Sequence, residues 1–162
     1  MSLDSITEIM RQDLNRQESF VVLSTIDDHG YPSVIPVGSL VCRGPNMLLM
    51  TLRATQRSVD NIRSNPKVAV LHMGTRTWMT IKGRATVVGE MPGSAGLFAI
   101  PLLMIRVVVD EVTTIKAVVQ PQPFIFHTWD EDRLRALNEV RAYLMGVELE
   151  GSATDNGVVS EG

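Results

Sequence analysis

The sequence predicts a mainly β protein, a small antiparallel barrel of six strands with short flanking helices. Three observations carry that expectation. Runs rich in Val, Ile, Leu and Thr are separated by turn chemistry such as "DDHG" and "RGPN". The helical patterns between them are short, so no parallel crossover is required. Thr77 to Val88 alternates strictly, with Met79, Ile81, Gly83, Ala85 and Val87 on one face and Trp78, Thr80, Lys82, Arg84 and Thr86 on the other.

The elements follow in order. Ser5 and Glu8 have capping-box spacing, and Ile6, Ile9, Met10 and Leu14 recur at helical intervals, which predicts a first helix ending before Ser19. Phe20 to Ile26 and Ser33 to Cys42 read as a hairpin about "DDHG". Pro36 and Gly38 interrupt its second strand, marking an edge, a bulge or a close approach to the backbone. Met47 to Leu52 is a third strand. Ser58, as N-cap, opens a short helix with Val59 and Ile62 inward, and Asn65-Pro66 stops it. Val68 to Met73, Thr77 to Val88 and about Leu102 to Lys116 complete the six strands, with a helical piece near Leu97 to Ile100. Asp130 caps a final helix that turns Leu134, Leu137, Val140 and Leu144 inward and sets Glu131 and Asp132 at its positive end.

A chain of 162 residues, 44% hydrophobic and 20% charged, is the size and composition of one globular domain. Residues 1–150 are expected to form it, and the small polar segment 151–162 to be disordered. The formal charge of -3 supplies no sequence-wide basic field for nucleic acid. No basic region with an apolar run opens the chain, and the apolar run Leu97 to Ile105 is too short for a bilayer, so no membrane partner and a cytoplasmic location are expected. The single cysteine, Cys42, excludes an internal disulfide and reads as a small buried apolar side chain. His29, His72 and His127 fall on a turn, a strand and the approach to the last helix, which assembles no nucleophile and base. "WDED" at Trp129 to Asp132 is a helix start rather than a metal site, and Met47, Met50, Met73 and Met79 are core fillers before they are a wall for a planar ring.

One local concentration of positive charge stands out in this acidic chain. Between Met50 and Val68 the sequence gathers Arg53, Arg57, Arg63 and Lys67, with Thr55, Gln56 and Ser58 among them. A helix start offers unpaired N–H groups and a favourable dipole to a phosphate, and a hydroxyl and an arginine complete such a shell. Spacing alone favours the simpler reading, a capped helix with solvated arginines, because this is neither a Walker loop nor GxGxxG.

The order of motifs adds to that. "DDHGYPSVIPV", then "NMLLMTLRATQRSVDNIRSNPKVAV", then "MTIKGRATVV" resembles the FMN-binding split-barrel superfamily of pyridoxamine-phosphate-oxidase-like proteins, in the style of its small FMN-binding members. Gly30-Tyr31-Pro32, Arg57-Ser58-Val59-Asp60-Asn61, Asn65-Pro66-Lys67-Val68 and Gly83 stand at the family's motif positions, over about Phe20 to Val88. The resemblance implies a homodimer of split barrels with FMN between the subunits. It further implies that Arg57 and Ser58 bind the phosphate with Thr55, Gln56 and Arg53 assisting, and that Met50, Thr51, Ile35, Pro36, Val37 and Gly38 lie along the ring system. By the same resemblance Trp78 reaches the partner's flavin, and dimer packing is an equal reading of that residue. The apolar Leu97 to Val109 region, more than one small barrel would leave exposed, argues for the dimer independently. Pro36 and Gly38 stand where family members often offer polar or aromatic side chains. The strand that in pyridoxamine-phosphate oxidases carries an arginine and lysine pair for the cofactor has no clear match, so oxidation of vitamin B6 is not expected.

The implied activity is an FMN-dependent oxidoreductase of unknown substrate, with NAD(P)H or a small molecule as electron donor. The same residues fit a non-enzymatic FMN-binding electron carrier, or a split barrel holding a deazaflavin, haem or nothing.

Overall fold

The computed structural model describes residues 2–16, 19–115 and 130–149. The expected disordered tail 151–162, Lys116, His127 and Trp129 lie outside the described residues. Eight strands and four helices run in the order β1 (Ser2–Leu3), α1 (Glu8–Leu14), β2 (Phe20–Ile26), β3 (Pro32–Pro36), β4 (Val41–Gly44), β5 (Met47–Arg53), α2 (Arg57–Ser64), β6 (Lys67–Met73), β7 (Trp78–Glu90), α3 (Ser94–Phe98), β8 (Leu102–Thr114) and α4 (Glu131–Gly146). All strand pairs are antiparallel, in the order β3-β2-β6-β7-β8-β5-β4, with β1 beside β8.

That order forces curvature. β3 and β4 occupy opposite edges yet are joined by Val37 to Leu40 alone, a reach of at most roughly 18 Å, whereas a flat sheet of that many strands would be about 29 Å across. The sheet must therefore bend back on itself, as a split barrel does. Its interior holds Leu23, Leu48, Met50, Val70, Met79, Ile81, Ile105 and Val107, all fully buried. Met10 and Leu14 of α1 and Val59 and Ile62 of α2 belong to the same cluster, so both helices insert apolar faces into the barrel core.

The long strand has the alternation read from the sequence, with Met79, Ile81, Gly83 and Ala85 buried and Lys82, Arg84 and Thr86 exposed. Gly83 sits at a bulge where β8 crosses so closely that a Cβ would overlap the Val108 carbonyl and the Val107 side chain. No larger residue fits that crossing without displacing backbone.

Several local expectations change. The expected Ser33 to Cys42 strand is two strands: β3 ends at Pro36 and pairs with β2, while β4 begins at Val41 and pairs with β5. This division and the two-residue β1 raise the count from six to eight. The cap of α1 is Thr7, which accepts from the Met10 N–H at 3.4 Å, and not Ser5; Glu8 instead binds Arg11 and Gln12 within the helix. Ser58 does not cap α2, because the helix starts one residue earlier with Gln56 at the N-cap position and Ser58 is buried in its first turn. Leu134 is 40% exposed rather than inward, while Val140 and Leu144 are buried as expected and Asp130 does cap α4. Of the apolar Leu97 to Val109 stretch, Leu102, Met104, Ile105, Val107 and Val109 are buried in the chain's own packing while Leu97 and Val108 are exposed, so only part of the stretch bears on a dimer.

Candidate functional site

The link between β3 and β4 and the end of β5 meet in a groove of about 230 Å³. Pro36, Val37, Gly38 and Ser39 form one side, Thr51, Leu52, Arg53 and Gln56 another, and Phe98, Leu102, Leu137 and Val140 close it. Six residues singled out in the sequence, Pro36, Val37, Gly38, Thr51, Arg53 and Gln56, are thus brought together. The groove lies where regular pairing lapses, because Gly38 to Leu40 belong to neither edge strand.

Polar groups around it divide into spent and unspent. The hydroxyl of Thr51 donates to the Ser39 hydroxyl at 3.0 Å, and that hydroxyl also accepts the Thr51 N–H at 2.9 Å. This pair holds the groove floor to β5, so the Thr51 side chain is structural. Gln56 turns its side-chain carbonyl back to accept the Arg53 N–H at 2.9 Å, closing a tight turn with its own N–H on the Arg53 carbonyl. The N-terminus of α2 is consequently left without a side-chain cap. Uncapped amides and the helix dipole there favour an anion.

Around that helix start Arg53, Thr55 and Arg57 are exposed. Arg57 lies 3.6 Å from Asp28 of the β2–β3 turn, with both side chains about 70% exposed, a pair worth little in water. The neighbouring Asp27 accepts the His29 and Tyr31 N–H groups at 2.9 Å each. The Tyr31 N–H first, then the His29 N–H and the charge of Arg57, hold the Asp27 carboxyl below its ordinary value against a smaller effect of burial. The Arg57-Ser58-x-x-Asn61 segment has a structural half: buried Asn61 donates to the buried Thr25 hydroxyl at 2.9 Å and fastens α2 to β2.

The other expected contacts fall elsewhere. Met50 is fully buried in the barrel core, so its side chain cannot reach the groove. Ile35 packs partly against the same core. Trp78 pairs with Met73 at the far end of β7, beside the Thr114 end of β8, whereas the groove lies at the Leu102 end. Its indole N–H is buried without an acceptor among the described residues. Ser39, Leu52, Phe98, Leu102, Leu137 and Val140 were not singled out as site residues; only Leu137 and Val140 carried a signal, as inward positions of a helix.

A larger cavity of about 590 Å³ adjoins the groove through Arg53 and Phe98, bounded by α3 and the first turn of α4. A third, of about 600 Å³, opens on the outer sheet face between Lys67, Lys82 and Arg84. Among the described residues, no His or Cys side chain lines any of the three.

A barrel of this strand order, with a groove at its seam beside the start of α2, is a split-barrel architecture. The family model for pyridoxamine 5'-phosphate oxidase matches residues 6–102, and the chain belongs to that family. Solved structures agree on the fold. A candidate pyridoxamine 5'-phosphate oxidase from Lactobacillus delbrueckii shares 21% identity at a TM-score of 0.57, covering 68% of this chain and 95% of that one. HupZ from Group A Streptococcus shares 17% at a TM-score of 0.58, covering 72% and 99%. An F420 reductase shares 19% at a TM-score of 0.52, covering 64% and 94%. No curated protein matches the chain. No helix among the described residues is long and apolar enough to cross a membrane.

Proposed function

We propose that the protein binds FMN and acts as an FMN-dependent oxidoreductase on a small substrate, as a homodimer. The observation that carries the reading is the groove itself, which brings Pro36 to Gly38 together with Thr51, Arg53 and Gln56 beside an uncapped helix start flanked by arginines. The residues present fit the group: Arg57 and the first amides of α2, with Thr55, Arg53 and Ser58 nearby, would hold the phosphate. Pro36 to Gly38 would face the ring with backbone and small side chains. The flavin supplies the hydride chemistry when bound. The chain's part is to bind, orient and exclude water, since among the described residues the groove is lined by no carboxylate, histidine or thiol to move a proton.

The dimer is supported by the outer face of β3, β2, β6 and β7. Pro36, Val22, Leu71 and Thr80 lie in one cross-strand row and Val34, Ser24, Ala69 and Lys82 in the next, with Trp78 beside Met73; Pro36 and Val34 are exposed, and Val22, Leu71, Ala69 and Trp78 are half-buried. Val34 is 60% exposed. A second copy would bury such a face and bring Trp78 to its neighbour. Sedimentation at micromolar concentration showing only an 18 kDa species would reject it.

The absorption spectrum of the purified protein, followed by titration of the apo-protein with FMN and riboflavin, tests the cofactor. Flavin bands with preference for FMN are expected; failure of both flavins to bind refutes the reading. The absence of an acid or base in the groove equally suits an electron carrier. Anaerobic reduction by NAD(P)H and turnover with small acceptors separates the two.

A further inference from the structure

The family match ends at residue 102, yet two residues of the groove lie beyond it, Leu137 and Val140 on α4. This helix is registered to the groove floor. Arg141 donates from Nη1 to the Leu40 carbonyl and from Nη2 to the Asn15 carbonyl, both at 2.8 Å, and Arg43 donates back to the Leu144 carbonyl at 3.1 Å and to the Val147 carbonyl at 2.5 Å. Val140 and Leu144 are buried against Val41, Leu49 and Leu102. Leu40 and Val41 directly follow the floor residues Pro36 to Ser39, so the anchors and the floor are one piece of chain. Leu137, one turn before Val140 and Arg141, shares their face and stands over the groove. Leu134, a turn earlier again, is 40% exposed and lines no part of the groove. Phe98 completes this wall from α3, where Ala99 at φ 58° turns the chain towards β8 in a conformation that favours glycine.

We propose that Leu137 and Phe98 are specificity-determining residues: they wall the ring side of the groove, so that the redox partner is a small or flat molecule and not a protein or other bulky carrier. The proposal rests on the flavin reading of the groove. Its physical basis is steric. A side chain fixed by two arginine clamps and a packed apolar row cannot swing aside as a loop residue does.

The test uses the full chain loaded with FMN and reads collisional quenching of the bound flavin's fluorescence by acrylamide, a neutral probe. Leu137→Ala and Phe98→Ala, each saturated with FMN, are expected to raise the quenching constant severalfold. Arg141→Gln, which unpins the helix, is expected to raise it as well. Leu137→Met, which keeps the volume, and Leu134→Ala, outside the groove, are expected to match the wild type. The photoreduced Leu137→Ala protein should also gain more rate with ferric cytochrome c than with ferricyanide. Unchanged quenching in both alanine variants that still bind FMN overturns the proposal alone. Failure of the wild type to bind FMN overturns the flavin reading and the proposal together.

Discussion

At the β6–β7 turn and at the start of α2, the chain places charged side chains in opposite circumstances. Asp13, fully buried at the end of α1, accepts from the Thr77 N–H and hydroxyl at 2.8 Å each, from the Arg76 N–H at 3.2 Å and from the Thr75 hydroxyl at 3.2 Å. Gly74 is required beside it, because a Cβ there would overlap the Asp13 carboxylate and the His72 ring. His72 is buried too; its Nε2 faces the Ser19 hydroxyl at 3.0 Å, and that hydroxyl already donates to the Asp13 carbonyl at 2.7 Å. The hydroxyl proton is spoken for, so Nε2 carries the donor and Nδ1 is a bare acceptor, which has no partner among the described residues. At α2 the reverse holds: cations are exposed, amides uncapped and the Arg57–Asp28 ion pair loose. Groups saturated inside the protein stabilise it, and groups left open are available to a ligand.

The sharpest way to break that contrast is Asp13→Ala. Three hydrogen-bonding residues of the turn would lose a buried partner, at about 1–3 kcal/mol for each group left unsatisfied, so a loss of about 3 kcal/mol or more in urea unfolding is expected. Ligand affinity, measured below the melting temperature, should be unaltered. A variant as stable as the wild type would mean that the turn holds itself.

Arg57→Ala is the converse. Stability should change by less than about 0.5 kcal/mol, because an exposed pair with Asp28 is all that is lost in the folded protein. FMN affinity should fall about tenfold, the low end for a charge-assisted bond given its exposure, and riboflavin affinity should not. Equal losses for the two flavins would move the phosphate elsewhere.

As pH falls, acid should act first on the first corner. Burial, the main cause, holds the His72 pKa below its ordinary 6.5, although the Asp13 charge and carbonyl oppose it. The unfolded chain therefore takes up a proton that the folded chain resists, and stability is complete above about pH 6.5 and declines as pH falls towards the depressed value. Asp13 is also held below its usual value: burial raises it, but the bonds from Thr77 and Arg76 outweigh that, so its own loss begins at lower pH. Melting temperature against pH checks this, with His72→Gln expected to flatten the upper part of the decline. The smallest effect belongs to Arg63→Ala, since Arg63 is over half exposed and meets only Asp60 at 3.6 Å; neither stability nor flavin binding should move measurably.

How far the sequence reached follows from what kind of force sets each feature. The long strand and the glycine within it were legible because alternation and a close backbone crossing leave marks on consecutive residues. Gln56 could not be found as the residue before α2, because its carbonyl is drawn back to Arg53 and a serine two positions on looks the better cap. Met50 and Ile35 were placed on the ring by position along a strand, whereas which way a side chain points depends on register, and one residue's shift exchanges core for groove. Leu137 and Phe98 were out of reach for another reason: their place in the wall depends on α4 folding over residues that lie about a hundred positions earlier.

The short link between the two edge strands has a kinetic consequence. β3 and β4 are neighbours in sequence but stand at opposite ends of the strand order, so the Val37 to Leu40 segment is expected to acquire its final shape only once the intervening strands have paired. A ligand held against that segment grips structure absent from the transition state. It should lengthen the lifetime of the folded protein while leaving the refolding rate as it was, so that cofactor retention and resistance to proteolysis become two readings of the same slow opening.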